Sequence, residues 1–414
     1  MTKRAEQQSW VVNTLLAGNG YEVLHPESRH FLAEIGYDPV DFDRALSRVK
    51  TSAQMPKAWG EVGSEIEHKA TWYEAQGFRR AAHDLYHRSA LLYGHARHSF
   101  APGDSRKTAY TQAINRCSEG VARMGTTRSE RIELPFRGQT LYATAHFPDT
   151  DEPAPLVLML PGMDMYKEDW ARVAEQYYLP RGMAVLAVDG PGQGETLTDQ
   201  LFVTLENYEP AMSALIDELT SRPEIDADRV GLWGVSMGSY WGLRTAALDP
   251  RIKAAATAMG CYGDTQVIFN RAQPGFKKQF MAMSGIADEQ VFEDEVATKM
   301  GVKQLADRIS CPVLMCYGEF DELSTLEETI DLYEYIDAPK RLVVYEQEFH
   351  ALGGVGAEII GIAADWLEQA LGDGIPAGAD AQSYVGRDGT IVDGTARPPW
   401  WDGTEAPATV APVA

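Results

Sequence analysis

The chain has 414 residues and carries 37 Lys+Arg against 60 Asp+Glu, a formal charge of −23. Its 44% hydrophobic and 23% charged residues are those of a globular protein, and its length suggests two or three domains or one large α/β domain with additions, so wholesale disorder and collagen-like repeats are excluded. The acidic balance argues against nucleic acid, whose phosphates need a basic face, and equally against an anionic membrane surface.

The N-terminal stretch MTKRAEQQSWVVNTLLAGNG has no uninterrupted apolar core and no small-residue cleavage site, so no export leader is expected. No stretch approaches the ~18 apolar residues of a membrane-spanning helix, and a reducing cytoplasm is the default. From Trp10 to Met124 the pattern is helix after helix, with few β-branched runs. In Thr71–Phe100, Tyr73, Phe78, Ala82, Leu85, Tyr86, Ala90, Leu92 and Tyr93 recur at helical spacing, with Gly77 a break between two helices. SRKTAYTQAINRCSEGVARM predicts another helix before the turn-like GTTRSE.

From Arg131 the period changes. RIELPFRGQTLYATAHFP alternates as a β-hairpin turning at RGQT. The short apolar runs PLVLMLPG, MAVLAVDGPG, VGLWGVSMG, IKAAATAMG, PVLMCYGEFD and RLVVYE follow, separated by helical patterns. Strands buried on both faces and alternating with helices imply a doubly wound, mostly parallel sheet. GAEIIGIAADWLEQALG closes that unit near Leu371. The expected organisation is therefore a helical N-terminal domain over 1–127 and an α/β domain over 128–371, with a lid-like insertion at about 264–309. Residues 372–414, rich in Gly, Pro, Ala and Asp, read as an irregular tail whose docking handle is Trp400–Trp401. There is no internal repeat.

Gly234-Val235-Ser236-Met237-Gly238 sits between an apolar strand and a helical run. This is G-x-S-x-G in the strand–turn–helix context that lifts a serine Oγ out at the carboxyl end of a sheet. Eight of the nine histidines lie at or before His146, and the one beyond, His350, stands in a loop between the last apolar strand and the final helix, where a base is needed. The strand before it ends in Glu319, Asp321 and Glu322. Asp321 is the expected orienting acid, with Glu319 as runner-up, giving the order Ser236…Asp321…His350 of α/β-hydrolases. Main-chain N–H groups of Met237 and, in the loop Pro161-Gly162-Met163-Asp164, of Met163 are the expected oxyanion donors.

Other candidates carry less chemistry. Asp189-Gly-Pro-Gly-Gln-Gly has the wrong spacing for a dinucleotide fingerprint and reads as a structural turn. His83 and His87 stand four apart on a helix but lack the carboxylate pattern of a metal site, so they read as a polar face. The four cysteines are too few and scattered for a disulfide framework, and Cys311 and Cys316 read as core thiols on opposite faces. The acidic IADEQVFEDEVATK reads as a solvated helix face, and Tyr73, Tyr86 and Tyr93 as helix packing. No cofactor and no metal are expected.

Taken together, AQGFRRAAHDLYHRSALLYGHA, PGMDMYKED, DGPGQGE and GVSMGS resemble one α/β-hydrolase branch over roughly residues 70–370. That branch holds the dihydropseudooxynicotine hydrolases of nicotine breakdown and fungal hydrolases that shorten aromatic polyketides. The triad motifs belong to the whole superfamily, whereas Gly-Met-Asp-x-Tyr-Lys-Glu and the helical preface are specific to the branch. The resemblance implies an α/β-hydrolase fold whose N-terminal helices cap the active site. It implies cleavage of a carbon–carbon bond next to a ketone in a small aromatic, heterocyclic or polyketide substrate. Asp164 occupies the place of an acidic residue that assists the chemistry, where the nicotine-pathway type has Glu and this chain matches the fungal type; the alternative reading is a capping residue for the helix KEDWARVAEQ. A homodimer is also implied. A carboxylesterase or acyl-elimination enzyme, in which oxygen is the leaving atom, fits the same residues. An interaction protein that merely retained the fold predicts no labelling of Ser236 by a fluorophosphonate.

Overall fold

The computed structural model describes residues 3–18, 20–23, 26–263, 268, 269, 272 and 275–401. Helices α1 (Lys3–Ala17), α2 (Ser28–Glu34), α3 (Pro39–Leu46), α4 (Met55–Ala75), α5 (Arg79–His98) and α6 (Ser105–Met124) come first. Local chemistry sets their ends. Asp38 accepts the Val40 N–H at 2.8 Å with Pro39 in the first turn of α3, and Asp104 caps α6 through Arg106 N–H at 2.8 Å. Gly77, at φ +79°, separates α4 from α5, a left-handed conformation that a side chain disfavours. Small residues let α4–α6 close on one another: Ala70, Ala82, Ala90 and Ala113 surround Tyr86, Tyr93, Ile114 and Cys117. The tyrosine hydroxyls leave this core to meet carboxylates, Tyr86 to Glu74 at 2.5 Å and Tyr93 to Glu67 at 2.7 Å.

The sheet starts with the hairpin β1 (Arg128–Phe136) and β2 (Gln139–Phe147), turning at Arg137 and Gly138, both at positive φ as a tight primed turn requires. Strand β1 begins three residues earlier than the alternation suggests, because Arg128 still pairs with Phe147. Strands β3 (Ala154–Leu160), β4 (Ala184–Asp189), β5 (Ile225–Val235), β6 (Ile252–Ala258), β7 (Val313–Gly318) and β8 (Lys340–Tyr345) follow. With β9 (Asp380–Val385) and β10 (Ile391–Asp393), they form one ten-stranded sheet among the described residues, in the order β1-β2-β4-β3-β5-β6-β7-β8-β9-β10. Pairing is parallel from β4 across to β9 and antiparallel at both margins. This is an α/β-hydrolase fold.

The last two strands correct the reading of the tail as irregular. Strand β9 (Asp380–Val385) adds parallel to β8, and β10 (Ile391–Asp393) folds back on β9. An uncovered β8 would leave a row of unpaired N–H and C=O groups, and β9 satisfies them. Trp401 packs against the main core, and the Trp400 indole N–H donates to Glu319. The segment at 264–309 holds α9 (Gly275–Ser284) and shorter helical turns, while 264–267, 270, 271, 273 and 274 lie outside the described residues.

Side chains alternate along the central strands, with a break at the irregularity between Ile252 and Ala254 of β6. Leu156, Leu158 and Leu160 of β3 face one core with α7 (Tyr208–Thr220), α8 (Met237–Leu248), α9 and α10 (Leu326–Tyr335). Val157 and Met159 face the other, with Trp233, Trp170 and α11 (Gly356–Leu371). Phe31, Ile35, Phe42, Trp59, Val62, Leu91 and Leu92 of the N-terminal helices belong to this second core, so these helices share hydrophobic packing with the sheet. Each such fully buried side chain contributes about 1.5–3 kcal/mol. Cys311 and Cys316 fall in opposite cores, as their separation suggests. No helix among the described residues is long and apolar enough to cross a membrane.

Candidate active site

Strand β5 ends at Val235, and α8 starts at Met237. The turning residue is Ser236, at φ 53° and ψ −124°. A non-glycine residue held there stores about 1–3 kcal/mol, so the surroundings must impose it. They do so by crowding: a Cβ on Gly234 would strike Gly238, and one on Gly238 would strike the Leu160 carbonyl. Two bonds fasten the turn to β6, Ser236 N–H to the Ala258 carbonyl at 3.0 Å and Ser239 Oγ–H to the same oxygen at 2.7 Å. Oγ is thereby presented at the carboxyl end of the sheet, over the first turn of α8.

His350 reaches this hydroxyl from the loop after β8. Its Nε2 lies 2.9 Å from Ser236 Oγ, and its Nδ1 lies 2.7 Å from Asp321 Oδ2. The other oxygen of Asp321 accepts the N–H groups of Leu323 at 2.8 Å and Ser324 at 3.0 Å, which fixes the carboxylate plane. Glu322 accepts the main-chain N–H of His350 at 3.0 Å. Burial disfavours the charged imidazole, but Asp321, then Glu322 and Asp164, outweigh it and lift His350 from 6.5 to about 9. Cys261 Sγ stands 3.9 Å from Ser236 Oγ, and burial pushes its thiol far above the ordinary value, so it is a neutral neighbour.

Glu319, the runner-up acid, faces away from the histidine. It accepts Gln347 N–H at 2.7 Å and Tyr384 O–H at 3.1 Å, and also receives Trp400, tying β9 and the following segment to the acid-bearing loop. Met163 and Met237 are both buried, at the loop after β3 and the first turn of α8. The loop lies against Ser236: a Cβ on Gly162 would stand 3.2 Å from Ser236 Cβ. Asp164, next along, is exposed and close enough to bias His350, His95 and His98 towards the charged form. Burial dominates at the last two, which drop to about 4. The short helix that follows starts at Lys167 with Tyr166 as its N-cap; Asp169 accepts Tyr166 N–H at 2.8 Å and Asp189 accepts Lys167 N–H at 2.9 Å.

The remaining candidates are absorbed into structure. His83 lies between Asp84 and Glu175, each at 3.1 Å, and these pairs overcome burial to raise it to about 9. His87 bonds the Glu168 carbonyl at 3.2 Å, and burial lowers it to about 4. Among the described residues no group of His, Cys, Asp and Glu is arranged to hold a metal ion. The Asp189 turn is internal: its carboxylate accepts Lys167 and Glu195 N–H groups and pairs with Lys167 Nζ at 3.3 Å. Two contributions escape sequence reasoning. Glu322 holds the His350 backbone, and Gln193 of the glycine turn reaches Pro161 and Gly162. The one available signal for Gln193 is an amide side chain placed in a turn of otherwise apolar and glycine residues.

A family model described as Esterase FrsA-like matches residues 52–329. The chain is 28% identical over 317 residues to the 2,6-dihydropseudooxynicotine hydrolase of Paenarthrobacter nicotinovorans, covering 76% of this chain and 83% of that one. It is 24% identical over 245 residues to esterase FrsA of Photobacterium profundum, covering 54% and 58%. It is 31% identical over 272 residues to the alpha/beta hydrolase psoB of Aspergillus fumigatus, covering 60% of each. The chain thus spans less than two thirds of these last two proteins. Among solved structures, 2,6-dihydroxy-pseudo-oxynicotine hydrolase superposes with a TM-score of 0.75 at 25% identity, covering 85% of this chain and 99% of its own.

Proposed function

The chain belongs to the FrsA-like esterase family and is an enzyme of the α/β-hydrolase type, and from that premise we propose a serine hydrolase working through an acyl-enzyme. The observation that carries the reading is the continuous relay from Ser236 through His350 to Asp321, at 2.9 and 2.7 Å, beneath a strained turn. Ser236 Oγ attacks a substrate ketone carbonyl while His350 Nε2 takes its proton, and Asp321 holds the imidazole through Nδ1–H. Main-chain N–H groups of Met163 and Met237 receive the oxyanion, a contribution of about 3–4 kcal/mol per donor in hydrolases of this kind. Collapse of the tetrahedral adduct breaks the carbon–carbon bond. The departing enolate carbon takes a proton from His350 Nε2–H, with Asp164 assisting. Water, deprotonated by His350, then attacks the acyl-enzyme and releases a carboxylic acid and Ser236.

Carbon leaves only when its electron pair is delocalised, so the substrate class is a small β-dicarbonyl or aryl ketone, aromatic, heterocyclic or polyketide in origin. The relative named for dihydropseudooxynicotine supports this choice, covering most of both chains. An ester, with oxygen leaving, is the second reading, and the family's description as an esterase favours it. Hydrolysis of an aryl β-diketone is compared with that of an ester bearing the same acyl group, with Ser236→Ala as the blank. Diketone cleavage at a rate near or above the ester supports carbon–carbon hydrolysis, and Asp164→Asn then lowers it selectively. Turnover of the ester alone assigns the second reading. Turnover that survives Ser236→Ala, or failure of a fluorophosphonate to label Ser236, removes the serine mechanism altogether.

A further inference from the structure

The glycine turn after β4 carries a side chain aimed at the loop after β3. Gln193 is 2% exposed. Its Nε2 donates to the Gly162 carbonyl at 2.8 Å and to the Pro161 carbonyl at 3.2 Å. Its Oε1 accepts the Tyr208 hydroxyl at 2.9 Å, and the two carbonyls forbid the flipped amide, since a flip would set Oε1 against acceptor-only oxygens. The backbone at Gln193 is equally fixed, with its N–H on the Gly190 carbonyl at 2.9 Å and its own carbonyl accepting Leu197 N–H at 2.8 Å. Gly190 has to be glycine for this, because a Cβ would strike the Tyr208 ring.

We propose that Gln193 is a positioning residue that orients the Met163 N–H as an oxyanion donor; this rests on the serine-hydrolase reading above. The argument is peptide geometry. No peptide bond among the described residues is cis, so in the Gly162–Met163 amide the C=O and N–H point in opposite directions. A side chain that fixes the Gly162 oxygen on one side therefore fixes the Met163 N–H on the other. Gly162 is packed against Ser236 on its remaining side. Gly162 and Met163 sit in a loop with few bonds of its own, Met165 N–H to the Gly162 carbonyl being long at 3.3 Å. The donor's direction is thus set by the buried amide and, behind it, by Tyr208. Preorganised donors of this sort act on the transition state and leave ground-state binding nearly unchanged.

The test uses the full chain with a 4-nitrophenyl ester, and an aryl boronic acid that becomes tetrahedral on Ser236 Oγ. Gln193→Ala and the near-isosteric Gln193→Met are expected to lower kcat by about 10–100-fold with KM within about threefold. Boronate affinity should weaken in parallel with kcat. Tyr208→Phe, which removes the anchor on Oε1, should give a smaller loss that vanishes in the Gln193→Met background. Thermal midpoints separate this from unfolding, and if Gln193→Ala does not fold, Gln193→Met carries the test. Parental kcat and boronate affinity in Gln193→Met overturn the proposal, as does a loss confined to KM. Ser236→Ala run alongside separates the two ideas: residual turnover there sinks the serine reading, whereas a dead Ser236→Ala with an unaffected Gln193→Met sinks the positioning role alone.

Discussion

Asp321→Asn tests the relay twice, because the variant should move the pH dependence and the maximum rate for separate reasons. In the parent chain burial opposes the imidazolium of His350, yet Asp321, Glu322 and Asp164 lift it from 6.5 to about 9. That rise corresponds to about 3 kcal/mol in favour of the charged form. The charged ring accordingly stabilises the fold below pH 6.5, and this contribution fades as pH climbs from 6.5 through about 9. Base catalysis needs the neutral ring, so parental kcat/KM should rise along a limb displaced upward from 6.5 towards 9. In the variant the largest upward influence is gone and burial remains, so the limb falls to or below the ordinary histidine value. The Asp321 oxygen that accepts Leu323 and Ser324 N–H groups keeps those bonds as an amide oxygen, which turns the new NH2 towards His350 Nδ1. That donor selects the tautomer with hydrogen on Nε2, which cannot accept from Ser236, and the plateau should drop by about 10³–10⁴. The assay is kcat/KM of an ester from about pH 5 to about pH 10, with thermal midpoints over the same range. A limb at the same pH in both proteins, or a plateau within about tenfold of the parent, would refute the relay as described.

Gly238→Ala drives a Cβ into the Leu160 and Pro161 carbonyls and should destabilise by about 2–4 kcal/mol in urea unfolding, whereas Gly361→Ala in α11, with open space around it, should stabilise by about 0.5–1 kcal/mol. Lys167 is buried against Glu168 at 2.7 Å, Glu195 at 3.0 Å and Asp189 at 3.3 Å, so Lys167→Met should cost about 3–5 kcal/mol at neutral pH. Part of that loss should return on acidification, because Glu195, which Lys167 and Arg131 hold near 2 against the upward push of burial, then rises and protonates earlier. Truncation after Gly378 removes β9 from β8, and Tyr384 and Trp400 from Glu319; the thermal midpoint should fall by several degrees, and an unchanged midpoint would mean the segment contributes nothing to the sheet.

What could be read from the sequence was what local chemistry determines. Ser236 stood out because glycines at 234 and 238 are a steric requirement of its turn, and the structure places carbonyl and main-chain atoms where their side chains would be. His350 and Asp321 were picked by chain order, and in the structure His350 stands at hydrogen-bond distance from both Ser236 and Asp321. The buried strands were visible because sheets covered on both faces leave continuous apolar runs. The β9–β10 pair was not, since Gly, Pro and Asp dominate its flanks and its pairing with β8 depends on an edge some forty residues away in sequence, Lys340 against Asp380. Gln193 was equally hidden. Its meaning depends on residues 161, 162 and 208 converging on it, which no single window of sequence contains.

A similar convergence joins the N-terminal helices to the loop that carries Met163 and Asp164. Several polar contacts between the N-terminal helices and the body fall just after Met163 and Asp164, while others join Asn115 to Glu195 at 2.7 Å and Thr111 to Thr198 at 3.0 Å. Tyr37 O–H donates to Asp169 at 3.1 Å, Tyr166 O–H to the Gly94 carbonyl at 2.9 Å, His87 meets the Glu168 carbonyl and His83 meets Glu175. A Cβ on Gly94 would strike the Tyr166 ring, so α5 approaches as closely as a backbone can. Apolar packing tolerates small slides, but buried hydrogen bonds fix direction as well as distance. The loop after β3 is therefore held from the body by Gln193 and, a few residues later, from the cap by Tyr37 and Gly94. Tyr37→Phe, which removes one of these bonds, is expected to loosen the loop that carries Met163 and Asp164 and to leave the bonds of Ser236, His350 and Asp321 in place, as hydrogen exchange of the loop amides would read.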